Sequence, residues 1–103
     1  MGKPSLSVED RDGFRLITFQ IPGGVCTPSE FAEAVNEVEA QLSGSKPVLI
    51  NGRGPIWGYG MLIHAAHATP AIATFDPRLA SYVVVATHDA RFVIGQLIPD
   101  PQR

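Results

Sequence analysis

The sequence predicts an α/β fold: one small domain, residues 1–103, with a central parallel β-α-β-α-β unit and antiparallel strands at its edges. Three observations predict it. Segments of strand and helix period follow one another in the order β-β-α-β-α-β-β. Two β-α-β units therefore run in succession, and their right-handed crossovers make the central strands parallel. The chain has 103 residues, the size of one domain, which buries roughly two-thirds of its unfolded surface.

Each element has a local cause. Residues 4–9 and 14–21 read as strands joined at Asp12-Gly13, a tight-turn pair. In the second strand Ile17, Phe19 and Ile21 alternate with more polar neighbours, as one buried face requires. Pro22-Gly23-Gly24 ends it. Thr27-Pro28-Ser29-Glu30 is a helix start: a capping threonine, proline at the first helical position, and a glutamate that completes a capping box. Phe31, Val35, Val38 and Leu42 recur at helical spacing, and Gly44 and Pro47 stop the helix. Val48-Leu49-Ile50 is a short apolar strand of the sheet interior. After the turn Asn51-Gly52-Arg53-Gly54-Pro55, a second helix runs from Ile56 to Ala68, ended by Thr69-Pro70. Strands follow at 71–75 and 82–86, and a last one at 92–98.

Composition narrows the function classes. With 45% hydrophobic and 17% charged residues the chain is globular. A net charge of −2 argues against binding long double-stranded DNA or other long nucleic acid. Residues 46–103 nevertheless carry five basic against three acidic residues, so an anion fits better there. No run approaches the ~20 apolar residues of a membrane span, and no signal-peptide pattern opens the chain. The single cysteine, Cys26, fits a reducing compartment, so a cytoplasmic setting is expected.

Strand direction sorts the polar residues. Gly52–Pro55 leaves a strand at the carboxyl end of the parallel set, the top, and Asp76 and Arg78 lie at the same end. The link from 76 to 82 is too short for a parallel crossover, so the next strand descends as a hairpin partner. His67 and His88 then meet at the bottom, about 17 Å from Asp76. The top combines backbone amides, a helix N-terminus, Arg53 and Arg78, which suits an anion. The bottom carries imidazoles suited to proton transfer or metal ligation.

Each feature has a second reading. Gly52-Arg53-Gly54-Pro55 is a phosphate-binding turn or only a tight turn; Trp57 breaks any dinucleotide fingerprint. His64 and His67 share a helix face and suit a metal or the surface. Asp76-Pro77-Arg78 is an acid at a strand end or a turn with an ion pair. Trp57 and Tyr59 stack on a base or pack the helix start. Cys26 is read as structural.

Taken together, Gly52-Arg53-Gly54-Pro55-Ile56-Trp57, His64, His67-Ala68-Thr69-Pro70, Asp76-Pro77-Arg78-Leu79 and His88 resemble a small CRISPR-associated family. Its members are ring nucleases of type III systems that degrade the messenger cyclic tetra-adenylate. The resemblance implies a CARF-like, Rossmann-like fold and a homodimer that stacks into higher assemblies. It implies manganese-dependent cleavage of RNA phosphodiesters, with His67, Asp76, Arg78 and His88 as catalytic residues. His67, His88 and Asp76 are the implied metal ligands, and Gly52, Arg53, Gly54, Pro55 and Arg78 hold the ligand's phosphates. The family often has a second histidine after the first; here it is Ala68. Two rival functions share these residues: a manganese-dependent 3′ RNA exonuclease, and a sensor or sponge that binds the messenger without turnover.

Overall fold

A computed structural model describes residues 2–101. It contains strands β1 (Ser5–Arg11) and β2 (Phe14–Gln20), helix α1 (Pro28–Val38), strand β3 (Val48–Gly52), helix α2 (Ile56–Ala65), and strands β4 (Ala71–Asp76), β5 (Ser81–Thr87) and β6 (Leu97–Pro99). The six strands form one mixed sheet in the order β1-β2-β3-β4-β5-β6. β2, β3 and β4 are parallel, and the other three pairings are antiparallel. The sheet is therefore mostly antiparallel, with the expected parallel strands at its centre. Its strand order never reverses, so it lacks the switch point of a doubly wound sheet.

Two right-handed crossovers taken in the same direction put both helices on one face. There Phe31 and Val35 of α1 and Leu62 and Ala66 at α2 close over Ile17, Phe19, Ile50 and Ile72. Burying each large side chain stabilises the fold by about 1.5–3 kcal/mol. The capping box of α1 is formed: Glu30 N donates to Thr27 Oγ1 at 3.1 Å, and Thr27 N donates to Glu30 Oε1 at 2.7 Å. On the opposite face Leu16, Leu49, Ala73, Tyr82 and Val84 are covered by Phe92 and Ile98 of the C-terminal segment.

Three boundaries differ from the sequence expectation. α1 ends at Val38, and a 3-10 turn, Glu39–Gln41, carries Leu42 into the core. α2 ends at Ala65 rather than Ala68, because the hydroxyl of buried Thr69 takes the Ala66 carbonyl at 2.7 Å. The last strand is only Leu97–Pro99. Residues 88–96 turn instead, held by Gly95 at φ +91° and a bond from Val93 N to Gln96 Oε1.

Candidate functional site

The carboxyl ends of β2, β3 and β4 open into a groove of about 900 Å³. Its floor explains the glycine-rich turn. A Cβ on Gly52 would sit 2.5 Å from the Phe19 ring, and one on Gly54 would sit 2.6 Å from it. Phe19 is 2% exposed and cannot retreat. The turn therefore lies directly on a buried aromatic ring, which only glycine permits. Tyr59 latches it from the first turns of α2: its hydroxyl accepts from Gly52 N at 3.1 Å and donates to Gly52 O at 2.6 Å. Burial pushes the Tyr59 hydroxyl's pKa up, so it stays protonated and keeps both bonds.

This latch narrows the anion-binding reading. Gly52 N–H is already engaged by Tyr59, and Pro55 has no N–H. The turn's own donors toward a phosphate reduce to Arg53, with its exposed guanidinium, and Gly54. Pro55 caps α2 without a side-chain hydrogen bond, so the positive end of the helix dipole is open at the groove.

At the end of β4, Asp76 organises the hairpin. Its Oδ1 accepts from Arg78 N at 2.8 Å, and its Oδ2 accepts from Arg78 Nη2 at 3.3 Å. The Arg78 guanidinium, and after it the backbone N–H, hold the Asp76 carboxyl below the usual range. The Arg78 side chain is 89% exposed. It stands at the same end of the sheet as Arg53, available to an anionic ligand.

His67 and His88 lie at the other end. Pro70, three residues beyond His67, accepts the backbone N–H of His88 at 2.8 Å. His67 Nδ1 lies 2.8 Å from His64 O, and its ring stacks on that of His64 with centroids 5.5 Å apart. A carbonyl only accepts, so Nδ1 carries the proton and Nε2 remains as the basic nitrogen. The six residues of β4 separate this end from Asp76 by about 17 Å. Among the described residues no group of three His, Cys, Asp or Glu side chains could hold a metal ion.

The fold thus brings Arg53, Gly54, Pro55, Asp76 and Arg78 to the top and His67 and His88 to the bottom. Trp57 packs edge-on to Phe31, centroids 5.8 Å apart, and is 38% exposed. Tyr59 packs edge-on to Phe19 and also lines the groove. Cys26 packs against the core and also lines the groove. Two residues escaped the sequence reading. Asn51 lines the groove, and its Nδ2 donates to Tyr82 Oη at 3.4 Å. The signal for Asn51 was present: an amide follows three apolar residues at the carboxyl end of an interior strand.

A family model described as CRISPR-associated protein (Cas_csx3) matches residues 28–99. An uncharacterized protein from Aquifex aeolicus (strain VF5) is 49% identical over 51 residues. That similarity covers 50% of this chain and 46% of the Aquifex protein, under half of its length.

Proposed function

The chain belongs to this family of CRISPR-associated proteins, and on that premise we propose that it is a ring nuclease that opens cyclic tetra-adenylate. The carrying observation is the two-ended arrangement: arginines and an open helix N-terminus at the top, imidazoles at the bottom. An anion site alone has no use for His67 and His88 at the far end of the sheet. The proposal includes a CARF-like lineage, a cytoplasmic setting, and a homodimer whose two-fold symmetry suits a symmetric ring.

In this reading Arg53, Gly54 and Arg78 hold phosphates by charge and by backbone donors, and Pro55, which has no N–H, starts the helix beneath them. An oxygen nucleophile, water or a ribose 2′-hydroxyl, attacks phosphorus as the bond to the 5′-oxygen breaks. Nε2 of His67 takes the nucleophile's proton, and His88 assists by giving a proton to the leaving 5′-oxygen. Asp76 positions Arg78 through its two bonds. One chain does not by itself fit the manganese of the proposal, because no three-ligand group exists among the described residues. Its donors would come from two copies, His88 of one and Asp76 of the next; Nε2 of His67, its one free lone pair, would serve as a third ligand or as the base but not as both.

The test is incubation with cyclic tetra-adenylate, with manganese or with chelator, and analysis of products by chromatography and mass. Linear adenylates formed only with manganese are expected. A product lighter by one water identifies the 2′-hydroxyl as nucleophile. The lack of a three-ligand group favours one rival, a sponge for the messenger. An intact ring that co-elutes with the protein would establish that rival and overturn catalytic roles for the histidines. Cleavage of linear oligoadenylate but not of the ring would make the protein a 3′ exonuclease.

A further inference from the structure

We infer that Arg91 holds a phosphate of the substrate at the histidine end of the sheet. The inference deepens the proposed function and rests on it for the identity of the substrate, while one arm of its test uses no turnover.

β5 carries the same device at both of its ends. Before it, Asp76 Oδ1 accepts from the backbone N–H of Arg78, and Oδ2 accepts from the guanidinium. After it, Asp89 Oδ1 accepts from Arg91 N at 2.9 Å and from Arg91 Nε at 3.1 Å, and Oδ2 accepts from Nη2 at 2.7 Å. An acid two residues before an arginine thus mounts a guanidinium at each end. The first mount stands beside the glycine-rich turn. The second stands with the imidazoles.

The Arg91 mount is the tighter of the two, with Nη2 at 2.7 Å from its carboxylate against 3.3 Å for Arg78. The guanidinium also lies over the Phe92 ring, 5.6 Å from the centroid, and Phe92 packs on the core of the helix-free face. The turn beneath is fastened as well. Thr87 Oγ1 accepts from Asp89 N at 3.1 Å and donates to Asp89 O at 2.9 Å, and Phe92 N donates to Asp89 O at 3.0 Å. A cation held this way has little freedom left to lose on binding.

One edge of the guanidinium remains open. Nε–H and one N–H of Nη2 point at Asp89, two of the five donors. The edge made by Nη1 and the outer N–H of Nη2 has no acceptor among the described residues, and the side chain is 70% exposed. Two parallel N–H groups on that edge match the two non-bridging oxygens of a phosphodiester. The pair with Asp89 has no net charge, so Arg91 acts at hydrogen-bond range. An exposed ion pair contributes little to stability, so folding gives the mount little reason to exist. His88 is three residues earlier, and its N–H is tied to Pro70 O beside the end of α2. A phosphate brought to these imidazoles needs a cation, and Arg91 supplies one from the turn that His88 opens.

The first arm is binding without turnover. Cyclic tetra-adenylate is titrated into the protein with chelator, and the Arg91 Nε–H resonance is followed. It should shift saturably. The second arm is kinetic, with manganese. Arg91→Gln should lower kcat/KM about tenfold to a hundredfold, the worth of a charge-assisted hydrogen bond, chiefly through KM. Its denaturation midpoint should stay near that of the wild type. Arg91→Ala should lose as much and regain part of its rate with added guanidinium ion, kept well below the concentration that unfolds the protein. An Arg91 signal that stays put at high ring concentration, or an Arg91→Gln protein with wild-type kcat/KM, would overturn the inference and leave the nuclease reading standing. A loss of rate matched by a lower midpoint and beyond rescue would also overturn it. A saturable shift beside a ring that no condition cleaves would overturn the nuclease reading and leave Arg91 as an anion site.

Discussion

Gly52 shows how one residue's meaning depends on a contact distant in sequence. As a string, Gly-Arg-Gly-Pro reads equally well as a phosphate cradle or a tight turn. The fold adds a third cause, the buried Phe19 ring that a Cβ on Gly52 would reach at 2.5 Å. Nothing local encodes that, because Phe19 is placed by the strand pairing of Phe19 with Gly52. Gly52→Ala should therefore destabilise the protein by about 1–3 kcal/mol, the range of overpacked cores, in chemical denaturation. Adding Phe19→Leu should recover part of that loss, which a purely conformational role of the glycine would not allow. Asp76 carries a second residue-scale prediction. Folding lowers its pKa, so its contribution is present above the ordinary carboxylate value of about 3.9 and is lost as pH falls through the lowered value. The denaturation midpoint of Asp76→Asn should lie below that of the wild type at neutral pH. The gap should close on acidification below about pH 4. A gap that widened in acid would contradict the assigned bonds to Arg78.

At the scale of elements, the sequence was most legible where local signals and tertiary packing agree. The capping box at Thr27 and Glu30, the apolar period of α1 and the shortness of β3 each predict what the fold contains. Thr27→Ala removes an acceptor from Glu30 N and should cost about 1 kcal/mol, read as a lower midpoint without a change of slope. Legibility fails where a helix pattern outlasts its backbone. His67 and Ala68 continue the apolar-polar rhythm of α2, yet the Thr69 hydroxyl takes the Ala66 carbonyl and turns the chain. The segment before β6 fails for the opposite reason. Val93 and Ile94 look like strand residues, but Gly95 at φ +91° and the Gln96 side chain fold them into a turn, and both remain exposed. The candidate site inherits this division. Strand direction alone placed Asp76 and Arg78 opposite His67 and His88, whereas the Tyr59 latch and the Asn51–Tyr82 pair needed the folded chain.

At the scale of the whole molecule, the length of one strand becomes a statement about assembly. β4 leads from the histidine end to Asp76, and its six residues span about 17 Å. A hydrogen bond or a metal ligand bridges about 2–3 Å, so no single copy can bring His67 and Asp76 to one phosphorus atom. If both residues act on the same bond, the top of one copy must meet the bottom of another. Such a head-to-tail contact is open-ended and, for the proposed homodimer, would permit stacking. His67→Ala and Asp76→Ala proteins should each be inactive against cyclic tetra-adenylate. Mixed in equal amounts they should regain activity, because about one random head-to-tail junction in four joins an intact top to an intact bottom. Specific activity of the wild type should also rise with protein concentration across the range in which dimers stack. An inactive mixture under conditions that permit stacking, together with concentration-independent activity, would confine catalysis to one dimer. His67 and Asp76 would then serve separate steps, one at each end of the sheet.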